Sequence, residues 1–148
     1  MEPTLHCARP GAGCEGDADD RVETKSVSAG ALGRGDIIIF EAPKTAAEAA
    51  CNTGGKFIKR VIGLPGETVS ERRGIVYVEG SRLDEPYLQP ARRDDQFGTW
   101  SVPKDHYFLM GDNRRESCDS RRFGSVPFSS VIGRVTAIIR DGNTISVR

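Results

Sequence analysis

Phe57-Ile58-Lys59-Arg60-Val61-Ile62-Gly63-Leu64-Pro65-Gly66-Glu67 reads as one strand stopped by one turn. Proline fixes φ and glycine supplies the positive φ of a type II turn, so the Pro65-Gly66 pair ends the strand. Alternate side chains of a strand share a face. Phe57, Lys59 and Val61 therefore point one way, and Ile58, Arg60 and Ile62 the other. Lys59 is left between two apolar neighbours on its own face. Charge is costly there, and desolvation lowers a lysine pKa from about 10.4 by as much as ~3–5. An amine that is neutral near physiological pH can take a proton from a hydroxyl, which is the chemistry of a Ser–Lys pair. The strand pattern by itself favours the other outcome, in which Lys59 snorkels to the rim and does nothing.

The segments on either side carry the same kind of signal. Asp36 to Phe40 is a buried strand set up by the Gly-Arg-Gly-Asp turn at 33–36. Thr68-Val69, Ile75 to Val78 and Arg82-Leu83 are short strands, separated by Arg73-Gly74 and Glu79-Gly80-Ser81. Residues 86–104 read as irregular, with Pro86, Pro90, Gly98 and Pro103. Tyr107 to Met110 is a further strand, and Ser130–Ile139 and Thr144–Val147 close the chain across an Asp141-Gly142 hairpin signal. The Ala-rich residues 42–55 read as a surface excursion with at most a helical turn, and residues 6–20 as a Gly-, Asp- and Pro-rich loop. No sustained helical periodicity or internal repeat is present. The chain is mainly antiparallel β.

Composition narrows the function. Lys and Arg total 21 against 21 Asp and Glu, so the basic excess of an electrostatic nucleic-acid binder is missing. Seventeen glycines favour short strands and many turns. No apolar run reaches the ~18–20 residues of a membrane-spanning helix, and no charged segment followed by an apolar core opens the chain. Cys7 and Cys14 suit a short-loop disulfide in an oxidising compartment, or plain loop cysteines. With His6 they do not make a paired C-x-x-C zinc set, so no metal or cofactor is expected. Cys118 reads as a packing residue. His6 and His106 lack the context of a Ser-His-Asp triad and read as structural.

The polar run Gly111-Asp112-Asn113-Arg114-Arg115-Glu116-Ser117-Cys118-Asp119-Ser120-Arg121 follows an apolar strand directly. Its Asx residues can hold a turn, and Ser117, Asp119 and Arg121 offer a hydroxyl and an ion pair. By composition alone this is as readily an exposed charged loop.

Taken in order, GDIIIF, FIKRVIGLPGE and GDNRRESCDSR with Phe123-Gly124 closely resemble the boxes of bacterial type I signal peptidases (leader peptidases), the Ser–Lys protease family S26. Gly74 to Gly80 with Leu83-Asp84-Glu85-Pro86-Tyr87-Leu88 resembles the family's middle hairpin region, and Val126-Pro127 with Val131-Ile132-Gly133-Arg134 its closing strand. The resemblance implies a mostly β catalytic domain over 1–148, with a core of residues 1–66 and 105–148 and a small inserted β lobe, 67–104. It implies Lys59 as general base and Ser117 as the hydroxyl that orients it. Asp119 and Arg121 would brace the loop as an ion pair, and Asp112 and Asn113 would form the turn beside the site. Met1, Pro3, Leu5, Phe57 and Ile58 would line the substrate groove, whose small pockets select Ala-x-Ala by rejecting larger side chains.

The family's first box reads Ser-Met-x-Pro-Thr-Leu, with the serine as nucleophile, and this chain opens Met1-Glu2-Pro3-Thr4-Leu5. The nucleophile would stand immediately before Met1, with a membrane anchor further upstream. Ser26 and Ser28 lie outside the motif, and Thr4 is not the attacking group. Either the start falls at an internal methionine or the chain is an inactive homologue that binds exported peptides without cutting them. The intact downstream boxes favour the first. A self-cleaving repressor of the related Ser–Lys type would lack the long GDNR box and carry a DNA-binding helical domain. The implied setting is the extracytoplasmic side of the bacterial cytoplasmic membrane, as a monomer acting on signal peptides. Phe97 and Trp100 are candidates for resting on the membrane surface or for core packing.

Overall fold

The computed structural model describes residues 1–6, 20–52 and 54–147, so Cys7 and Cys14 lie outside the described residues. In chain order the elements are β1 (Arg21–Lys25), β2 (Ile37–Glu41), α1 (Lys44–Cys51), β3 (Lys56–Gly63), β4 (Thr68–Arg72), β5 (Ile75–Val78) and β6 (Ser81–Arg82). These are followed by β7 (Phe97–Ser101), β8 (His106–Met110), α2 (Ser120–Phe123), β9 (Val126–Pro127), β10 (Val131–Arg140) and β11 (Asn143–Ser146). The larger sheet runs β1-β10-β2-β3-β8-β9, with β11 paired to β10; the smaller runs β6-β5-β4-β7. Every pairing is antiparallel. The protein is mostly antiparallel β.

The quoted stretch is the central strand of the larger sheet. β3 pairs with β2 (Ile38 opposite Lys59) and with β8 (Arg60 opposite Met110), with a bulge between Val61 and Gly63. Its alternation places Phe57 and Val61 with Phe40 and Leu109 on one face, while Ile58 packs with Leu5 and Ile37 on the other. At the bulge, Ile62 joins Val69, Val102, Phe108 and Met110 where the two sheets meet. The strand stops at Pro65-Gly66, where Gly66 has φ +87° and the Glu67 amide donates to Leu64 O at 3.1 Å. The Glu67 carboxylate pins that turn by accepting from the Leu64 amide at 2.7 Å and from both Arg34 Nη atoms at 2.9 and 2.7 Å.

Three expectations require correction. Residues 44–51 form a full helix, α1, with Ala47 wholly buried against Phe40 and Phe123. Alanine has the best helix propensity, and its small side chain lets the helix sit close. Asn52, with φ +55°, ends it. Residues 97–101, read as irregular, are edge strand β7, pairing Trp100 with Val69 and Thr99 with Ser70. Gly98 there is not a loop signal: a β-carbon on it would stand 2.3 Å from the Trp100 ring that covers it. Cys118 does not merely pack. It forms a disulfide with Cys51, tying α1 to the chain beside Ser117. Strand β1 had no sequence signal; it is a mostly exposed edge held by pairing with β10. Among the described residues, no helix is long and apolar enough to cross a membrane.

At the junction of the sheets, a β-carbon on Gly63 would meet Val69 Cγ2 at 2.5 Å and Phe108 and Val102 side chains at 3.0 Å. Gly63→Ala is expected to destabilise the protein by about 1–3 kcal/mol through overpacking, seen as a lower urea midpoint with an unchanged slope. Cys51 and Cys118 are 67 residues apart. Their disulfide restricts the unfolded chain, and Cys51→Ser is expected to cost about 2–4 kcal/mol in the same assay.

Candidate active site

The site forms where the loop after β8 folds back over β3. Asn113 O accepts the amides of Glu116 and Ser117 at 3.1 and 2.9 Å, a tight turn that returns Ser117 toward Gly111. Gly111 has to be glycine. A β-carbon there would stand 2.2 Å from Ser117 Oγ and 3.4 Å from Lys59 Nζ. The lysine amine and the serine hydroxyl thus converge on the same small space. Ser117 Oγ is buried without a hydrogen-bond partner, as is Asn113 Oδ1.

Lys59 reaches this space from β3 with its Nζ 5.7 Å from the centre of the Phe57 ring. Burial holds its amine below the usual 10.5, with Arg121 adding to the effect; Asp119 and Asp112 oppose it. The opposition is weakened because both carboxylates have closer partners. Asp119 caps α2, accepting the amides of Arg121 at 3.2 Å and Gly111 at 3.0 Å, and it pairs with Arg121 Nε and Nη2 at 2.9 Å each. Burial works against the Asp119 charge, yet Arg121 holds its carboxyl below the ordinary range. Arg121 also reaches Asp94 at 2.5 Å, Glu71 at 3.4 Å and the Arg114 carbonyl at 2.9 Å, strapping the loop to the smaller sheet. Glu71 in this cluster is pushed up to about 7 by burial, with Asp94 adding to the shift against Arg121.

Asp112 is fully buried and serves a different purpose from a simple turn residue. It accepts from Arg60 Nε at 2.9 Å and Nη2 at 2.7 Å, and from the Thr4 hydroxyl. The first residues are thereby tied to β3. The Met1 amine is lowered to about 6 by burial and then by Lys59, against Asp112 and Glu2, so the start of the chain and the lysine share one enclosed region.

Of the expected groove residues, Leu5, Phe57 and Ile58 line one cleft of about 330 Å3 with Val22 and Ile39, edged by His6, Asp20 and Lys56. Met1 packs against the same cluster as Ile58. Pro3 is elsewhere, in a second cleft with Thr4, Arg60 and Tyr87. Ser26 and Ser28 are exposed, and the His106 ring Nδ1 lies 2.9 Å from the Lys104 carbonyl. Thr4, Arg60, Glu85, Tyr87 and Arg114 were missed as site-supporting residues. Their one sequence signal was an arginine on the inward face of an apolar strand, which must find a carboxylate if buried.

The depressed amine makes a pH prediction. Between the folded pKa of Lys59 and about 10.5 the unfolded chain holds a proton that the folded chain lacks, so this residue's contribution to stability rises with pH across that window. Lys59→Met is expected to be more stable than the parent at pH 7, with the gap narrowing as pH approaches 10.5. Urea midpoints measured across that range test it; a gap independent of pH would show the amine to be fully solvated.

The family model described as signal peptidase, peptidase S26, matches residues 1–140. The chain is 44% identical over 107 residues to a signal peptidase I of Leptolyngbya laminosa, covering 72% of this chain and 51% of that protein. It is 35% identical over 127 residues to a signal peptidase I of Bacillus caldolyticus, covering 77% and 65%. The chain thus spans about half to two thirds of the curated relatives it matches. The crystal structure of a signal peptidase I from Enterococcus faecalis V583 superposes with a TM-score of 0.60 at 38% identity, over 74% of this chain and all of that one. A strand-borne lysine, a glycine-floored serine and a match over nearly the whole chain lead to one conclusion: the chain belongs to the signal peptidase family, peptidase S26.

Proposed function

We propose that this chain is the catalytic region of a type I signal peptidase, a Ser–Lys endopeptidase that removes signal peptides from exported proteins after Ala-x-Ala-like sites. The observation that carries the reading is the approach of the buried Lys59 amine and the Ser117 hydroxyl to the same space over Gly111. In this reading the nucleophile is a serine joined to Met1. Neutral Lys59 takes its proton as the oxygen attacks the scissile carbonyl, while Ser117 holds the amine in line. A backbone amide near the nucleophile and a hydroxyl upstream steady the oxyanion. The tetrahedral species collapses to an acyl-enzyme, and the Lys59 ammonium returns the proton to the departing amine. Lys59 then deprotonates the water that releases the signal peptide.

In this reading the substrate segment lies along the cleft lined by Leu5, Phe57 and Ile58. The Cys51–Cys118 disulfide suits an oxidising, extracytoplasmic setting. Phe97, 67% exposed, is suited to rest on a membrane surface, whereas the partly buried Trp100 packs against the core, its ring centre 5.1 Å from that of Phe108. The working unit is proposed to be a monomer with its catalytic face toward the bilayer.

The test is to place one serine ahead of Met1 and assay a peptide carrying an Ala-x-Ala site. Cleavage is expected from the extended chain, and Lys59→Ala in that chain should lower kcat by about 10²–10⁴ with an unchanged circular-dichroism spectrum. Full turnover without Lys59 would refute the general-base role. Peptide binding with no cleavage would identify a homologue that holds exported peptides instead.

A further inference from the structure

We infer that Tyr87, to which the resemblance assigns no role, is a positioning residue: its ring clamps Arg60 so that Asp112 can hold Thr4 and dock residues 1–5 against Lys59. The inference rests on the reading that this docked segment presents the nucleophile to Lys59.

The segment has few polar anchors. The Thr4 hydroxyl donates to Asp112, Arg140 Nη2 donates to the Thr4 carbonyl at 3.2 Å, and Leu5 is buried below them. The bond to Asp112 connects the segment to the β3 and Gly111 region where Lys59 sits. The Asp112 carboxylate is in turn aimed by the two-pronged Arg60 contact, whose Nη2 is also 3.5 Å from Thr4 Oγ1. Arg60 is planar, and its fork points correctly only if the plane is fixed.

Two contacts fix it. Arg60 Nη1 donates to Gly35 O at 2.8 Å, which holds one edge. The face is covered by the Tyr87 ring, whose centre is 3.8 Å from the guanidinium carbon. Tyr87 is itself held, donating from its hydroxyl to Glu85 Oε1 at 3.2 Å. Glu85 is buried and paired with Arg114, which donates from Nε to Gly111 O at 3.1 Å. Tyr87 also lines one cleft with Pro3 and Thr4. The segment after β6 therefore reaches across to the start of the chain and to the floor of the site together.

The Met1 amine reports docking without any need for turnover. Burial and Lys59 lower it to about 6, and Arg92 adds to this; Asp112 and Glu2 raise it. A released amine returns toward its ordinary 8.0. The experiment titrates Met1 acetylation against pH by mass spectrometry of the N-terminal peptide, using the chain as it stands. The parent and Tyr87→Phe, which keeps the aromatic face, are expected to titrate near 6. Tyr87→Leu, or Tyr87→Met should the leucine variant not fold, is expected to move toward 8, as is Thr4→Val. A Tyr87→Leu chain that stays near 6 while Thr4→Val rises would overturn the inference. So would a Tyr87→Phe chain that rises with the leucine variant, or a parent already near 8. Because the readout is a proton on Met1, a negative result leaves the peptidase reading standing, and loss of that reading leaves this result interpretable.

Discussion

Gly111 has no side chain, and Lys59 Nζ and Ser117 Oγ both border the space this leaves. Any β-carbon there would overlap the hydroxyl, so the approach of the loop to β3 is set by steric exclusion at one backbone position. The neighbouring interactions maintain that approach. The Asn113 carbonyl tightens the turn, Asp119 binds the Gly111 amide, and Arg121 fixes Asp119 in place. The Cys51–Cys118 disulfide fastens the same loop to α1.

Charge is distributed so that the carboxylates nearest the lysine are taken up by arginines. Buried ion pairs cost desolvation, which they offset only with close partners and well-formed hydrogen bonds. Asp119 has them in Arg121 and Asp112 has them in Arg60, so neither carboxylate is spared to neutralise Lys59. Burial then decides the direction of the lysine pKa. The same arginines join distant parts of the chain. Arg121 connects the loop to Glu71 and Asp94 near the smaller sheet, and Arg60 connects β3 to the first residues through Asp112 and Thr4. One group of charges thus supports the loop and, among the described residues, leaves Lys59 without an ion pair of its own.

Much of this was visible in residue order. β3 announced itself by alternation and its Pro-Gly stop, and β2, β5, β8, β10 and β11 by apolar runs between turn residues. Lys59 was legible through the FIKRVIGLPGE and GDNRRESCDSR segments taken together, since an amine between Phe57 and Val61 on a strand can also reach the rim. Helix α1 was hidden because its face is alanine, too weakly apolar to show periodicity, and it is stabilised by Phe40 and Phe123 from elsewhere. Strand β7 was hidden because Gly98 and Pro103 are local breakers, overruled by pairing with β4 and by the Trp100 ring. The Cys51–Cys118 pairing joins two segments that no spacing rule relates.

Sequence alone determined the elements whose causes are local: the period-two burial of β3, the turns that φ-restricted residues demand, and the chemical types present at the site. Tertiary structure decided which groups face each other. Arg60 and Asp112 are 52 positions apart, and Thr4 and Asp112 are 108 apart. Contacts at such separations depend on strand register and loop closure, and those are fixed by packing the whole core at once.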